Sequence, residues 1–326
     1  MIRHMTFIAR KVKKGDKLNY KIPKKGEYLF IFLTRPTKEE IKKLTSDFRF
    51  DPEPLETYVK ETHSRRYITK PFQFVIRTAY LQNNTIGYTN LLFIMMSRTL
   101  IVSASKPSDV YGEIIEDISE SFQTTEARSV GHILYNFLQE DVDENYDVLG
   151  RLEQQIKDVE AKATRIALRE TKVRVDDILA LKRQLFRLSR QFWATTRVIS
   201  LIRIGVAQVE IDRESERLLG DVHETYLHQI DLAAAQKEMV SDVLNVYSTS
   251  ISNIAALTSN ELNTVVKRLT SYGAILLIPT VIASIYGMNI LNLPFAKHQY
   301  GFYIIIGIMA GVTGVALANF IKNDWL

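Results

Sequence analysis

Cysteine is absent from this chain of 326 residues. Disulfide frameworks, thiol nucleophiles and cysteine-based zinc sites are excluded together, and no redox compartment is favoured. Proline is missing over a long interval. Pro23, Pro36, Pro52, Pro54, Pro71 and Pro107 fall early, and Pro279 and Pro294 complete the set. The interval between Pro107 and Pro279 therefore lacks the strongest helix breaker. Formal charge is missing from two stretches near the carboxyl end, one between Arg268 and Lys297 and one between His298 and Lys322. Each is long enough to cross a bilayer core, which takes about 20 mostly apolar residues. No apolar run of signal-peptide length separates Met1-Ile2-Arg3-His4-Met5 from Lys11, Lys13 and Lys14, so a cleaved signal is not expected. No glycine-rich phosphate loop is present. His223 and His228 miss the four-residue step of a helical metal pair, so an enzyme is not expected.

What remains is organised in three parts. The formal net charge is +5, with basic groups at 11–17 and 182–190. A nucleic-acid binder would show a basic face with interleaved aromatics, so no nucleic-acid partner is expected. Lys182, Arg183, Arg187 and Arg190 read first as a solvated helix face and second as an anion or lipid contact. The early part mixes strands and helices. Tyr28–Leu33, Phe72–Tyr80, Leu91–Met96 and Thr99–Ser103 read as strands, with turns at Gln82-Asn83-Asn84 and Ser97-Arg98. Thr37 and Glu40 are spaced as a capping box, which predicts a helix start. This predicts an α/β domain over 1–110.

The middle, 111–268, is predicted helical. Leu149, Leu152, Ile156 and Val159 recur at three- and four-residue steps, as do Ile178, Leu181, Leu185, Leu188 and Phe192. Gly205 marks a turn. A further stripe runs through Leu218, Val222, Leu227, Ile230, Ala234, Met239, Val243, Tyr247, Ile251 and Ile254. No strong breaker separates it from the first uncharged stretch. One helix from near Asp221 to Tyr286 would be about 100 Å long at about 1.5 Å per residue. One subunit's core cannot bury such a helix, so a homo-oligomeric bundle is expected. A break among the Ser and Asn residues at 253–260 is the alternative.

The two uncharged stretches predict a membrane hairpin. The first span covers 269–288, an external link 289–300, the second span 301–321 and a tail 322–326. Lys267, Arg268 and Lys322 on one side outnumber Lys297 in the link, which favours amino and carboxyl ends in the cytoplasm and a cell (inner or plasma) membrane. In the first span Leu269, Gly273, Leu277, Thr280 and Ser284 share one helical face, and Asn263 and Val266 extend it. Small, hydroxyl and apolar groups in a row suit a narrow pore. Back-bonding of the hydroxyls to the preceding turn explains Thr280 and Ser284 equally well. Gly307 and Gly311 in the second span favour close helix packing instead. Neither span holds an ionisable group, which proton-coupled carriers need. A passive conduit for an ion that keeps its water fits better. Magnesium dehydrates reluctantly, and neutral amide oxygens from Asn289 would hold its hydration waters without stripping them.

Tyr286-Gly287-Met288-Asn289 at the end of the first of two carboxy-terminal spans resembles the CorA family of magnesium channels. The resemblance extends through 279–285, the upstream segment 259–270 and the closing Trp325-Leu326. It implies a funnel-shaped homopentamer in the lipid bilayer, with a long helical stalk continuous with the pore-lining span. Asn289 would receive hydrated magnesium, with Tyr286, Gly287 and Met288 shaping the mouth. Val266, Leu269 and Leu277 would be the hydrophobic constriction. Asn263, Gly273, Thr280 and Ser284 would complete the pore face, of which Gly273 is placed by helical spacing alone. Cobalt and nickel would be further permeants. The resemblance also implies closure by cytoplasmic magnesium held at acidic sites between subunits. Glu224, Asp231, Glu238 and Asp242 on the stalk are candidates for those sites, and a solvated helix face is the plainer reading of them. The link departs from the family pattern in having Phe295 after Pro294, and the tail in following Lys322 with Asn323 and Asp324. Two rival readings stand beside this one. A zinc-directed relative would vary the middle of Gly-Met-Asn, and Met288 speaks against it. A membrane-anchored coiled-coil scaffold would explain the long helices and leave Asn289 without a role.

Overall fold

The amino-terminal segment 2–104 alternates short apolar runs with turn residues, and these runs form a seven-stranded sheet. The computed structural model describes residues 2–8, 11–16, 18–106, 110–124, 129–165, 174–209, 211–289, 293–295 and 298–325. The strands are β1 (Ile2–Ile8), β2 (Lys11–Asp16), β3 (Glu27–Thr34), β4 (Arg65–Tyr67), β5 (Phe72–Gln82), β6 (Thr85–Met95) and β7 (Thr99–Ala104). Their order is β2-β1-β3-β7-β6-β5-β4, and β3 with β7 is the parallel pair. The helices are α1 (Lys38–Phe48), α2 (Glu53–Thr57), α3 (Val110–Thr124), α4 (Val130–Arg165), α5 (Val175–Arg203), α6 (Arg213–Tyr286) and α7 (Gly301–Lys322). The described residues fall into two units: the first is drawn from Met1–Arg165 and Thr171–Val246, and the second runs from Tyr247.

β3 shows why its sequence is apolar without alternation: both of its faces are covered. Leu29, Ile31 and Leu33 pack with Ile41 and Leu44 of α1 and Leu55 of α2. Phe30 and Phe32 point the other way and meet Phe137 of α4 at ring distances of 6.4 and 6.5 Å. Phe93 meets the same ring edge-on at 5.4 Å and stacks on Phe74 at 4.9 Å. The expected capping box is formed at α1: the Glu40 amide donates to Thr37 Oγ1 at 3.3 Å, and the Thr37 amide donates to Glu40 Oε2 at 2.7 Å. The β5–β6 hairpin turns at Asn83 and Asn84 with φ of 47° and 65°, the left-handed pair that a two-residue turn requires.

β1 and β2 were not expected. β2 reads Lys-Val-Lys-Lys-Gly-Asp and lies at the sheet edge. Lysines there discourage pairing with another chain, and they also erase the hydrophobic alternation that signals a strand.

α4, α5 and α6 form a bundle beside the sheet. The Gln229 side chain donates to the Val142 carbonyl at 2.8 Å and Gln236 to that of Leu149 at 3.1 Å, so α4 and α6 run parallel. Ser200 meets His223 at 2.9 Å and Lys182 meets Ser241 at 3.2 Å, so α5 runs antiparallel to α6. Gly205 stands in the connection between α5 and α6 with φ of 81°, a conformation glycine adopts without penalty.

α6 is one helix of 74 residues and passes through 253–260 without a break. Its buried face in the first unit is Leu219, Val222, Tyr226, Ile230, Ala233, Val240 and Val243. This differs from the expected stripe: Ala234, Met239 and Ile251 are exposed. The buried line follows the partners that α4 and α5 supply, whereas the sequence stripe continues past Val246, where this chain supplies few.

Asp141 joins three elements. It lies on α4 and accepts hydrogen bonds from Thr78 of β5, from Tyr226 of α6 at 2.5 Å and from Asn145 at 3.2 Å. Burial pushes its carboxyl up from the ordinary aspartate range, against the pull of these donors. Burial raises the Tyr226 hydroxyl further, with the Asp141 charge adding to it. A carboxyl raised in the fold contributes stability while it holds its proton and loses that contribution as pH rises. Asp141→Ala strands the Tyr226 hydroxyl and should cost about 1–3 kcal/mol for that group alone. Adding Tyr226→Phe should restore part of the loss. Thermal melts of the full chain in detergent check both, and additive losses would contradict the coupling.

Candidate ion pathway

Within the second unit, α6 presents two different faces. Ser271 is buried, and Ile275, Ile278, Ile282 and Tyr286 are half-buried on one side. Val266, Leu269, Gly273, Leu277, Thr280 and Ser284 are exposed, with Leu269 at 71% and Leu277 at 61%. At about 100° per residue these sets are centred roughly half a turn apart on the helix. The half-buried positions of α7 are Ile304, Ile305, Met309, Thr313, Ala316 and Phe320, one stripe that steps by three or four residues from Ile305 onward. The Ser271 hydroxyl donates to the Lys267 carbonyl one turn back at 2.9 Å and lies 3.5 Å from the Trp325 carbonyl, so the last turn beyond α7 packs against α6. The covered side of α6 is thus the side carrying Ser271. The side carrying Leu269, Gly273, Leu277, Thr280 and Ser284 is left without a partner from the described residues.

Thr280 donates its hydroxyl to the Leu276 carbonyl at 2.7 Å. This is the back-bonding expected of a membrane threonine. It lies one residue beyond Pro279, which sits inside the helix and has no amide proton to give. Back-bonding and a place on the exposed face are compatible, because the hydroxyl oxygen keeps an acceptor site.

The Tyr-Gly-Met-Asn run straddles the end of α6. The helix stops at Tyr286, two residues before the Met288 boundary expected from sequence. The amide of Gly287 still donates to the Ala283 carbonyl at 2.9 Å, and that of Met288 to Ile285 at 3.3 Å. A Cβ at Gly287 would come within 3.2 Å of the Ala283 carbonyl oxygen, so glycine leaves this turn its room. Met288 and Asn289 are exposed. Of the expected link, Asn292 and Lys297 lie outside the described residues.

Asn263 and Val266 border a hollow of about 520 Å³ that Trp325 closes on one side. Trp325 reaches it through a helix-ending turn. Its amide donates to the Phe320 carbonyl at 2.9 Å, the Asp324 amide donates to Ile321 at 3.2 Å, and Asp324 takes φ of 55°. The Phe320 and Trp325 rings stack at 5.7 Å. This is a Schellman turn with its apolar clasp. Reasoning from sequence missed it, because aspartate stands where glycine signals such a turn.

Glu224, Asp231, Glu238 and Asp242 are exposed and share one stripe of α6, at spacings of seven, seven and four residues. Glu224 lies 3.6 Å from His223 Nδ1, an ion pair only when the imidazole is protonated. The stripe extends over about 27 Å at about 1.5 Å per residue. Among the described residues no three acids or histidines gather into a metal-sized group. Within one chain these four acids are therefore arranged along a line and do not form a cage.

Both α6 and α7 are long and apolar enough to cross a bilayer core. A family model described as CorA-like Mg2+ transporter protein matches residues 25–322. The cobalt/magnesium transport protein CorA of Thermotoga maritima is 25% identical over 233 residues, covering 72% of this chain and 63% of that protein. Its namesake from Methanocaldococcus jannaschii is 24% identical over 293 residues, covering 89% of each chain. The complete solved structure of the M. jannaschii CorA magnesium transporter superposes with a TM-score of 0.72 at 20% identity, over 100% of this chain and 99% of that one. That likeness speaks for the fold, and the family match spans nearly the whole chain. The protein is therefore a member of the CorA-like Mg2+ transporter family, whose members move divalent metal across membranes.

Proposed function

We propose that the protein is a magnesium channel that passes the hydrated ion through a pore lined by the first spans of five copies. The observation that carries this reading is the uncovered face of α6. It is free of charge from Leu269 to Ser284, it lies opposite the face that α7 covers, and it leads to an exposed Asn289. An apolar helix face with no partner among the described residues calls for copies of itself. In such a ring Asn289 would offer amide oxygens to hydration waters at the mouth, with Tyr286, Gly287 and Met288 holding the turn. Val266, Leu269 and Leu277 would form a hydrophobic constriction that closes by dewetting. Asn263, Gly273, Thr280 and Ser284 would supply weakly polar steps between the apolar rings.

The domain limits follow this reading: a cytoplasmic α/β domain at 1–110, a helical and stalk region at 111–268, spans at 269–288 and 301–321 joined by an external link at 289–300, and a cytoplasmic tail at 322–326. Both termini would be cytoplasmic in a cell membrane, since Lys267, Arg268 and Lys322 lie at the proposed inner ends of the spans. Cobalt and nickel are proposed as further permeants. Closure is assigned to cytoplasmic magnesium. The line of Glu224, Asp231, Glu238 and Asp242 makes no cage alone, and it would need carboxylates of a neighbouring copy to complete a hexacoordinate site.

Magnesium uptake into proteoliposomes tests the pore. Wild type should take up magnesium when internal magnesium is low. Asn289→Ala should fall to the level of empty liposomes while the oligomer still assembles, and undiminished uptake would remove Asn289 from the mouth. Leu269→Ser should raise leak current in planar bilayers under closing conditions, because a polar ring holds water where an apolar ring sheds it. An unchanged closed state would take Leu269 out of the constriction. Paired Asp231→Asn and Glu238→Gln should shift half-inhibition to higher internal magnesium, and an unmoved inhibition curve would assign sensing to other acids.

A further inference from the structure

α5 carries a charge pattern that the transport reading does not use. From Ile178 to Val209 the chain contains Lys182, Arg183, Arg187, Arg190, Arg197 and Arg203 and no acid. Four of these cations, Lys182, Arg183, Arg187 and Arg190, line a groove of about 450 Å³ with Lys237 of α6. Among the described residues none of the five forms an ion pair with an acid. Phe186 stands in the same groove with 61% of its surface exposed.

The groove is also held in shape. The Lys182 ammonium donates to Ser241 Oγ at 3.2 Å, which anchors it between α5 and α6. The Arg187 guanidinium lies 5.3 Å from the centre of the Tyr88 ring, and Arg77 of β5 lies 5.8 Å from the same ring. Arg77 in turn donates to the Glu61 carbonyl at 3.0 Å. Burial lowers the affinity of Arg77 for its proton, and the charges of Arg187 and Arg190 lower it further. Arg187 and Arg77 thus share one ring, and among the described residues no carboxylate pairs with a groove cation, which leaves their donors open to an anion. Lys182 and Arg187, positioned before binding, lose less entropy when a ligand arrives.

We propose that this groove binds a nucleoside polyphosphate, with Lys182, Arg183, Arg187, Arg190 and Lys237 holding the phosphates and the Phe186 ring stacking on the base. Several phosphates match the number of cations, and guanidinium groups pair with phosphate oxygens in forked geometry. The exposed aromatic ring gives the planar base a surface that inorganic phosphate has no use for. The volume lies within the range of about 300–1,000 Å³ typical of small-molecule sites. This inference does not rest on ion conduction. It concerns an equilibrium at the α5–α6 groove and is tested without any divalent metal.

The test is calorimetric titration of the full-length protein in detergent, in buffer with EDTA, with ATP in one arm and inorganic triphosphate in the other. ATP should bind saturably and should weaken as salt is added. Arg183→Ala with Arg190→Ala should weaken both ligands by about tenfold or more, as expected for lost charge-assisted contacts. Both side chains are exposed and make no described hydrogen bond, so the melting temperature should not move. Phe186→Ala should weaken ATP by about threefold to tenfold and leave triphosphate unchanged. Arg197→Ala, on the same helix but outside the groove, should change neither. No saturable ATP binding would overturn the proposal, as would ATP binding that survives the Arg183 and Arg190 substitutions. An ATP affinity equal to that of triphosphate and indifferent to Phe186→Ala would overturn the nucleotide assignment. Capture by vesicles of phosphatidylserine that ATP does not displace would transfer the groove to lipid headgroups.

Discussion

A helix satisfies its own backbone hydrogen bonds, and that property is what lets α6 run unbroken for 74 residues. Where α4 and α5 flank it, side chains need only cover one stripe. Where none of the described residues covers it, the helical backbone still meets its own hydrogen bonds except around Pro279. In a bilayer core no water is available to satisfy such groups, so only a continuous ladder survives there. Thr280, next to the proline, turns its hydroxyl to a carbonyl one turn back. The Tyr-Gly-Met-Asn run begins where the ladder ends, and its first two amides after Tyr286 still reach back to helical carbonyls. Gly287 and Met288 are therefore held by the helix end.

Charge is partitioned with similar economy. The spans have none. Asp141 is buried in the first unit, where three donors converge on it from a strand and two helices. A buried carboxyl there is tolerable because those donors are present. Glu224, Asp231, Glu238 and Asp242 of α6 keep to one exposed stripe, and the cations of α5 line a groove against the same helix. Each group has a setting in which its charge is paired, solvated or open to a ligand.

Much of the architecture was legible from residue patterns. The capping box at Thr37 and Glu40, the Asn83-Asn84 turn, the strands centred on Phe30, Val75, Phe93 and Ile101 and the continuity of α6 all follow from local rules about spacing and backbone preference. β2 escaped because lysines protecting a sheet edge replace the apolar alternation that marks a strand. The turn at Asp324 escaped because an aspartate occupies the left-handed position usually marked by glycine. The buried line on α6 shifted from Ala234 and Met239 to Ala233 and Val240, because a periodic stripe gives a helix's apolar side only to within one neighbouring row.

Local chemistry alone thus settled most of the helices and the apolar strands, where charge is forbidden, and that Gly-Met-Asn closes an uncharged helix. These depend on near-neighbour sterics and on hydropathy, which a linear chain carries in full. Which side of α6 is covered by α7, the convergence of Thr78, Asn145 and Tyr226 on Asp141, and the meeting of α5 cations with Lys237 had to await the folded chain. Each of these joins residues distant in sequence or chooses one helix face over another, and no local preference distinguishes among those pairings before the elements pack.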